Sequence, residues 1–314
     1  MIRKAAIISI KGASLSHDEI NILKQEKPWG IILFKRNILS AKQLKDLTGN
    51  IRKTMKDKKF PILVDEEGKN VSRLSKIFNH NFSANYFGHL YKSDPKISIQ
   101  IYKHYLLSIC KKLRNIGINI NTIPVLDILR KNTSKVIGER SFSNNKEIVK
   151  KLGKITVDQC HSNKIATVIK HIPGHGAAVA DSHFKIPKVN LSENKLNKID
   201  FYPFKFTSAK FAMTAHILYP KIDNINVATF SKKIINKVIR KKIGFKGILM
   251  SDDISMKSLK YNLVTNANKS LKAGCNLVLY CAGNINDNFK LIKSIPFIDK
   301  FTSKKTSEFY KFLR

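Results

Sequence analysis

Short apolar, β-branched runs recur along the chain at 5–10 (AAIISI), 30–34 (GIILF), 60–65 (FPILVD), 120–126 (INTIPVL), 166–172 (ATVIKHI), 211–217 (FAMTAHI), 247–253 (GILMSDD) and 276–280 (NLVLY). They are nearly continuous rather than alternating, which is the pattern of strands buried on both faces, and therefore of parallel strands covered by helices. Between them, 41–55, 97–115, 146–160 and 232–244 carry apolar residues at helical spacing, with Ser231 as an N-cap and Gly244 as a C-cap for the last. Eight runs alternating with helices predict an α/β fold, a single-domain (β/α)8 TIM-type barrel over 1–314 with 285–314 as a C-terminal helical extension. A doubly wound sheet is the alternative. No linker, repeat or low-complexity tract divides the chain.

A chain of 314 residues buries about three quarters of its unfolded surface, enough for a full core without disulfides or metal. Cys110, Cys160, Cys275 and Cys281 show no CxxC spacing and sit in apolar contexts, so they read as reduced thiols of a cytoplasmic protein. The N-terminal run AAIISI ends at Lys11, too early for a signal peptide, and fits a first strand. No stretch approaches the roughly 18 apolar residues of a membrane span. The charge balance, 58 basic against 22 acidic side chains for a net +36, raises polyanions as partners. The lysines are nevertheless spread through every segment and no RNA-binding aromatic motif accompanies them. No specific nucleic acid and no membrane are expected as partners, and the expected state is a monomer.

In such barrels chemistry gathers at the C-terminal ends of the strands. Asp65, Asp127, Lys170, His171, His216 and Asp252 all fall at such ends. Asp252 and Asp253 are neighbours on an extended chain and point to opposite sides, so one faces a central substrate and the other is free to cap the turn at Ser255. In "KHIPGHGAAVADSH" (170–183), Asp181 and His183 are two apart. The carboxylate can hold one ring nitrogen and leave the other to exchange a proton near neutral pH. A zinc site built from His171, His175 and His183 fails on spacing, so no metal and no cofactor are expected.

Taken together, K-H-I-P-G-H-G-x4-D-S-H and S-D-D-I-S-M closely resemble the signature of bacterial β-N-acetylglucosaminidases of glycoside hydrolase family three, of the peptidoglycan-recycling type. "WGIILFKRNI" (29–38), "VDEEGKNVSRL" (64–74), "NINTIPVLDI" (119–128), "VIGERSF" (136–142) and "AMTAHILYP" (212–220) match in the same order, so the resemblance runs over roughly 5–285. It implies a retaining exo-β-N-acetylglucosaminidase acting on peptidoglycan fragments, so that the partner is a small-molecule carbohydrate. Asp252 is then the nucleophile, and His183 with Asp181 the acid/base dyad. Lys170 and His171 bind sugar hydroxyls, and Asp65, Arg73 and Arg140 fall at further sugar-binding positions. Family members usually read D-x-E-G-G-R-V-x-R where this chain reads DEEGKNVSR, so Lys69 and Asn70 replace a glycine and an arginine at the pocket rim. His175 is expected to shape the turn, while His216 either lines the pocket or braces the loop. The competing activities are a β-glucosidase or phosphorylase of the same family, and a non-catalytic basic barrel that binds nucleic acid or cell-wall fragments.

Overall fold

The computed structural model describes residues 2–178 and 186–314. Eight parallel strands close a barrel: β1 Lys4–Ile8, β2 Pro28–Leu33, β3 Ile62–Val64, β4 Ile120–Asn121, β5 Ala166–Ile172, β6 Phe211–Thr214, β7 Ile248–Asp253 and β8 Leu277–Leu279. Each pairs with its neighbour in sequence, and β8 pairs with β1 through Ala6 and Val278. The doubly wound alternative is excluded by this closure.

Strand alternation explains why the runs look apolar throughout. Ala5, Ile7, Leu63, Val168, Met213 and Met250 belong to the apolar cluster that fills the barrel, whereas Ala6, Ile8, Ile62, Val64 and Ala212 join the larger cluster under the helices. Both sets lose water, so neither face of a strand has reason to be polar.

Helices over Ala41–Met55, Pro95–Asn115 and Lys146–Ser162 fall where the periodicity places them, capped by Ser40, Asp94 and Asn145. The fourth segment differs in winding. Ile234–Lys242 is a π-helix, which Ser231 still caps by accepting the Ile234 N–H at 3.0 Å and which ends before Gly244 at φ 80°. Its last turns aim Arg240 at the carbonyls of Phe245 and Gly247 and at Asn276 Oδ1. β4 is shorter than the apolar run that predicts it because Pro124 has no N–H to donate. Pairing with β5 resumes beyond it, Lys170 N–H to Pro124 O at 3.1 Å and Leu126 N–H to Lys170 O at 2.7 Å.

After β8 come helices over Ile285–Ser294 and Lys300–Phe312. The last lies across the N-terminal end of the barrel. Trp29 Nε1 donates to Thr306 Oγ1 at 2.9 Å, and Phe309 packs against Trp29 and Phe211. That end is plugged by aromatic rings, which leaves the C-terminal end as the open one. Among the described residues, no helix is long and apolar enough to cross a membrane.

Candidate active site

The end of β3 continues into a small ribbon, Glu66–Gly68 paired with Val71–Ser72. The period-2 alternation of extended chain sends Asp65 and Glu67 into the barrel mouth and Glu66 away from it. Asp65 accepts from Thr122 and Lys170 on one oxygen and from Arg73 Nη2, at 3.0 Å, on the other. Glu67 takes a two-pronged contact from Arg140 at 2.7 and 2.8 Å and the Lys170 ammonium at 2.5 Å. Burial pushes both carboxyls up, but the facing cations outweigh it: Lys170 and Arg73 hold Asp65 well below the carboxylate range, and Arg140 and Lys170 hold Glu67 to about 2. Three cations thus interleave with these two carboxylates and fix them as anions.

This arrangement makes stability depend on acid. Because the folded value of Glu67 lies below its ordinary 4.5, its contribution is full above about pH 4.5 and fades as pH falls through about 2. Between about pH 6 and about pH 3, denaturant titration should show wild type losing about 2 kcal/mol more than Glu67→Gln. Equal losses in the two proteins would contradict the ion-paired state.

At the ends of β4 and β5, Asp127 organises the histidines. It accepts His171 Nδ1 at 2.7 Å and the His175 backbone N–H at 2.6 Å, and interaction with His171 lowers its carboxyl despite burial. Nε2 of His171 lies 3.5 Å from Arg140 Nη2. The His175 ring stands edge-on to His171, centroids 5.7 Å apart, and burial lowers it to about 4, so it is neutral at physiological pH.

The two adjacent aspartates of β7 divide as their geometry demands. Asp253 turns outward, accepting the Ser255 N–H at 3.0 Å, the Ser255 hydroxyl at 2.8 Å and the Cys281 N–H at 3.3 Å, and its carboxyl is raised, chiefly by burial. Asp252 faces the mouth and accepts the Asp253 N–H at 2.8 Å. Burial would raise it, but His216 and then His171 outweigh that and lower it, so it is an anion. His216 does not line the pocket. It bridges Thr229 Oγ1 at 2.7 Å and the Asp253 carbonyl at 3.0 Å, and so braces the end of β7.

These groups converge on a pocket of about 320 Å³, at the small end of ligand-site volumes. Asp65, Glu67, Arg73, Arg140, Lys170, His171 and Asp252 line its polar side, and Met213, Met256, Leu279 and Cys281 its apolar side. Asp65, Arg73, Arg140, Lys170, His171 and Asp252 lie here as expected from sequence, whereas Asp127 and His216 stand behind the lining; Asp181 and His183 lie outside the described residues. Lys69 and Asn70 form the exposed tip of the β3 ribbon, where both approach Glu139, at 3.7 and 3.3 Å. The left-handed turn falls on Gly68 at φ 140°, where a Cβ would come within 2.4 Å of the Phe82 carbonyl. The glycine missing at 69 is therefore not the one this turn requires. Sequence reasoning missed Glu67 and Thr122 and gave Asp127 no partner; the alternation from Asp65 would have put Glu67 on the same face.

A parallel eight-stranded barrel, plugged at one end and opening at the other on a small pocket of anchored carboxylates, is the framework of a glycoside hydrolase. The glycosyl hydrolase family 3 N-terminal domain matches residues 3–300. The chain is 33% identical over 301 residues to a beta-hexosaminidase of Actinobacillus succinogenes, spanning 92% of this chain and 86% of that one. To a beta-hexosaminidase of Methylobacillus flagellatus it is 32% identical over 280 residues, spanning 88% and 79%. Native NagZ from Neisseria gonorrhoeae superposes with a TM-score of 0.91 at 29% identity, covering 100% of this chain and 90% of that one. NagZ in complex with N-trifluoroacetyl-D-glucosamine gives the same TM-score at 28% identity and the same coverage. This chain belongs to glycosyl hydrolase family 3 and is a glycoside hydrolase.

Proposed function

We propose that the protein is a retaining exo-β-N-acetylglucosaminidase that removes terminal N-acetylglucosamine from peptidoglycan fragments, among them those ending in anhydro-N-acetylmuramic acid. The observation that carries this reading is Asp252, a buried carboxylate held ionised in a small pocket, with the Asp253 N–H as its hydrogen-bond donor among the described residues. Among the described residues Asp65 and Glu67 are each paired with two cations, which leaves Asp252 as the pocket carboxylate to attack carbon. Relatives named beta-hexosaminidase, and a sugar with an N-acyl group bound by the gonococcal protein, support the N-acetyl specificity.

In the first step Asp252 attacks the anomeric carbon as His183 gives its proton to the departing glycosidic oxygen, leaving a glycosyl ester on Asp252. In the second, neutral His183 takes a proton from water, the water oxygen attacks the anomeric carbon, and the Asp252 carboxylate leaves. Asp181 holds the second ring nitrogen of His183 through both steps. Lys170, His171, Asp65, Arg73 and Arg140 bind the hydroxyls of the terminal sugar. Because they engage groups that do not react, their contribution falls mainly on affinity.

Pocket size supports exo action, since a site this small takes a chain end rather than an interior unit. The four free cysteines suit a reducing cytoplasm, where the protein acts as a monomer. The test is a comparison of 4-nitrophenyl β-N-acetylglucosaminide with the matched glucoside, each with and without phosphate. Preference for the acetamido sugar without phosphate dependence is expected. Faster turnover of the glucoside, or a requirement for phosphate, would replace this reading with one of the family alternatives.

A further inference from the structure

Behind the pocket wall lies a buried polar chain that no step of the reaction uses. Glu66, whose side chain is fully buried, receives the backbone N–H groups of Arg73 and Leu74 on one oxygen at 2.8 and 2.9 Å. Its other oxygen lies 2.5 Å from His80 Nε2, and His80 Nδ1 lies 2.8 Å from the Tyr105 hydroxyl. Asn121, at the end of β4, grips the Glu66 backbone from both sides: its Oδ1 accepts the N–H and its Nδ2 donates to the carbonyl, each at 3.0 Å. A carboxylate here costs more to desolvate than an amide or an apolar residue, and it is held by the Arg73 and Leu74 N–H groups and by His80.

One of those donors is the backbone N–H of Arg73. The backbone held by Glu66 is the point from which the Arg73 side chain departs, and its guanidinium crosses the Phe34 ring at 5.2 Å to reach Asp65 Oδ2 at 3.0 Å. Glu66 also adjoins Asp65 in the chain. One buried carboxylate therefore ties together both members of the Asp65–Arg73 pair, from the side of the wall that substrate does not touch.

We infer that Glu66, backed by His80 and Tyr105, is a positioning residue that sets the Arg73 guanidinium against Asp65 and so tunes the affinity of the pocket for sugar hydroxyls. This rests on the proposal that Asp65 and Arg73 bind the sugar. The same geometry predicts which change is tolerated. A glutamine at 66 still offers an oxygen to the Arg73 and Leu74 N–H groups, and its amide reaches His80 once the ring takes the tautomer whose Nδ1–H donates to the Tyr105 hydroxyl, whereas alanine leaves the Arg73 and Leu74 N–H groups and His80 Nε2 without this partner.

The experiment measures KM and kcat of the full chain on 4-nitrophenyl β-N-acetylglucosaminide for Glu66→Ala, Glu66→Gln, Arg73→Ala and the Glu66→Ala/Arg73→Ala double variant. Glu66→Ala is expected to raise KM about tenfold with kcat within about threefold, the signature of lost uniform binding. Glu66→Gln should stay near wild type, and the double variant should bind no worse than Arg73→Ala alone, because Glu66 acts through Arg73. Additive losses in the double variant, or an unchanged KM in Glu66→Ala, would overturn the inference. If Glu66→Ala fails to fold, His80→Ala alone and with Arg73→Ala carries the same comparison, with the same outcomes deciding it. An Arg73→Ala protein with wild-type KM would instead sink the sugar-binding role of Arg73 itself, a failure visible without any change at Glu66.

Discussion

Asp252→Asn is expected to lower kcat by a factor on the order of 10⁴ or more while the protein keeps its fold and still binds sugar. The amide has nearly the shape of the carboxylate and can still accept the Asp253 N–H now received at 2.8 Å, so the end of β7 has no reason to move. What disappears is the anion. His216 and His171 lower the Asp252 carboxyl below its ordinary value, so at neutral pH essentially every molecule carries the nucleophile ready to react. Release of nitrophenol by matched amounts of the two proteins, with far-ultraviolet circular dichroism to check folding, measures the loss. Wild-type turnover in the asparagine protein would end the assignment of Asp252 and the covalent mechanism with it.

The second large effect depends on the substrate. His183→Ala should slow cleavage of a disaccharide, whose leaving sugar needs a proton, by a factor on the order of 10² to 10⁴. The first step with an activated aryl glycoside should be nearly spared, because a nitrophenolate departs without help. The contrast is the diagnostic quantity: paired kcat/KM values, which report the first step, on 4-nitrophenyl β-N-acetylglucosaminide and on a disaccharide ending in N-acetylglucosamine should diverge in the variant and not in wild type. Parallel losses of kcat/KM on both would assign His183 to binding or structure.

The barrel was legible because its strands are apolar on both faces, a pattern that arises when one side packs inward and the other packs under helices. Ile7 and Ile8 illustrate it: adjacent residues, equally buried, in different clusters. Strand ends were less legible. Ile120–Asn121 is much shorter than its apolar run because an imino acid interrupts the ladder, and the winding of Ile234–Lys242 as a π-helix leaves no mark in hydrophobic spacing. In the site, residues projecting from strand ends could be named one at a time, yet their partners could not. Glu67 and Asp127 do their work through Arg140, Lys170 and His171, which are brought to them from other parts of the chain. Glu66 shows the limit most clearly: it sits between two pocket carboxylates in sequence, and only the fold sends it to the other side of the wall.

The helix at Lys300–Phe312 has a bearing on biosynthesis. It seals the barrel floor through residues as far back as Trp29, whose indole bonds to a threonine 277 positions later. A ribosome still holding that helix in its exit tunnel would display a chain whose strands can pair but whose Trp29 and Phe211 rings remain wetted. Such an unlidded form is adhesive, so the interval before this helix docks exposes nascent copies to clumping.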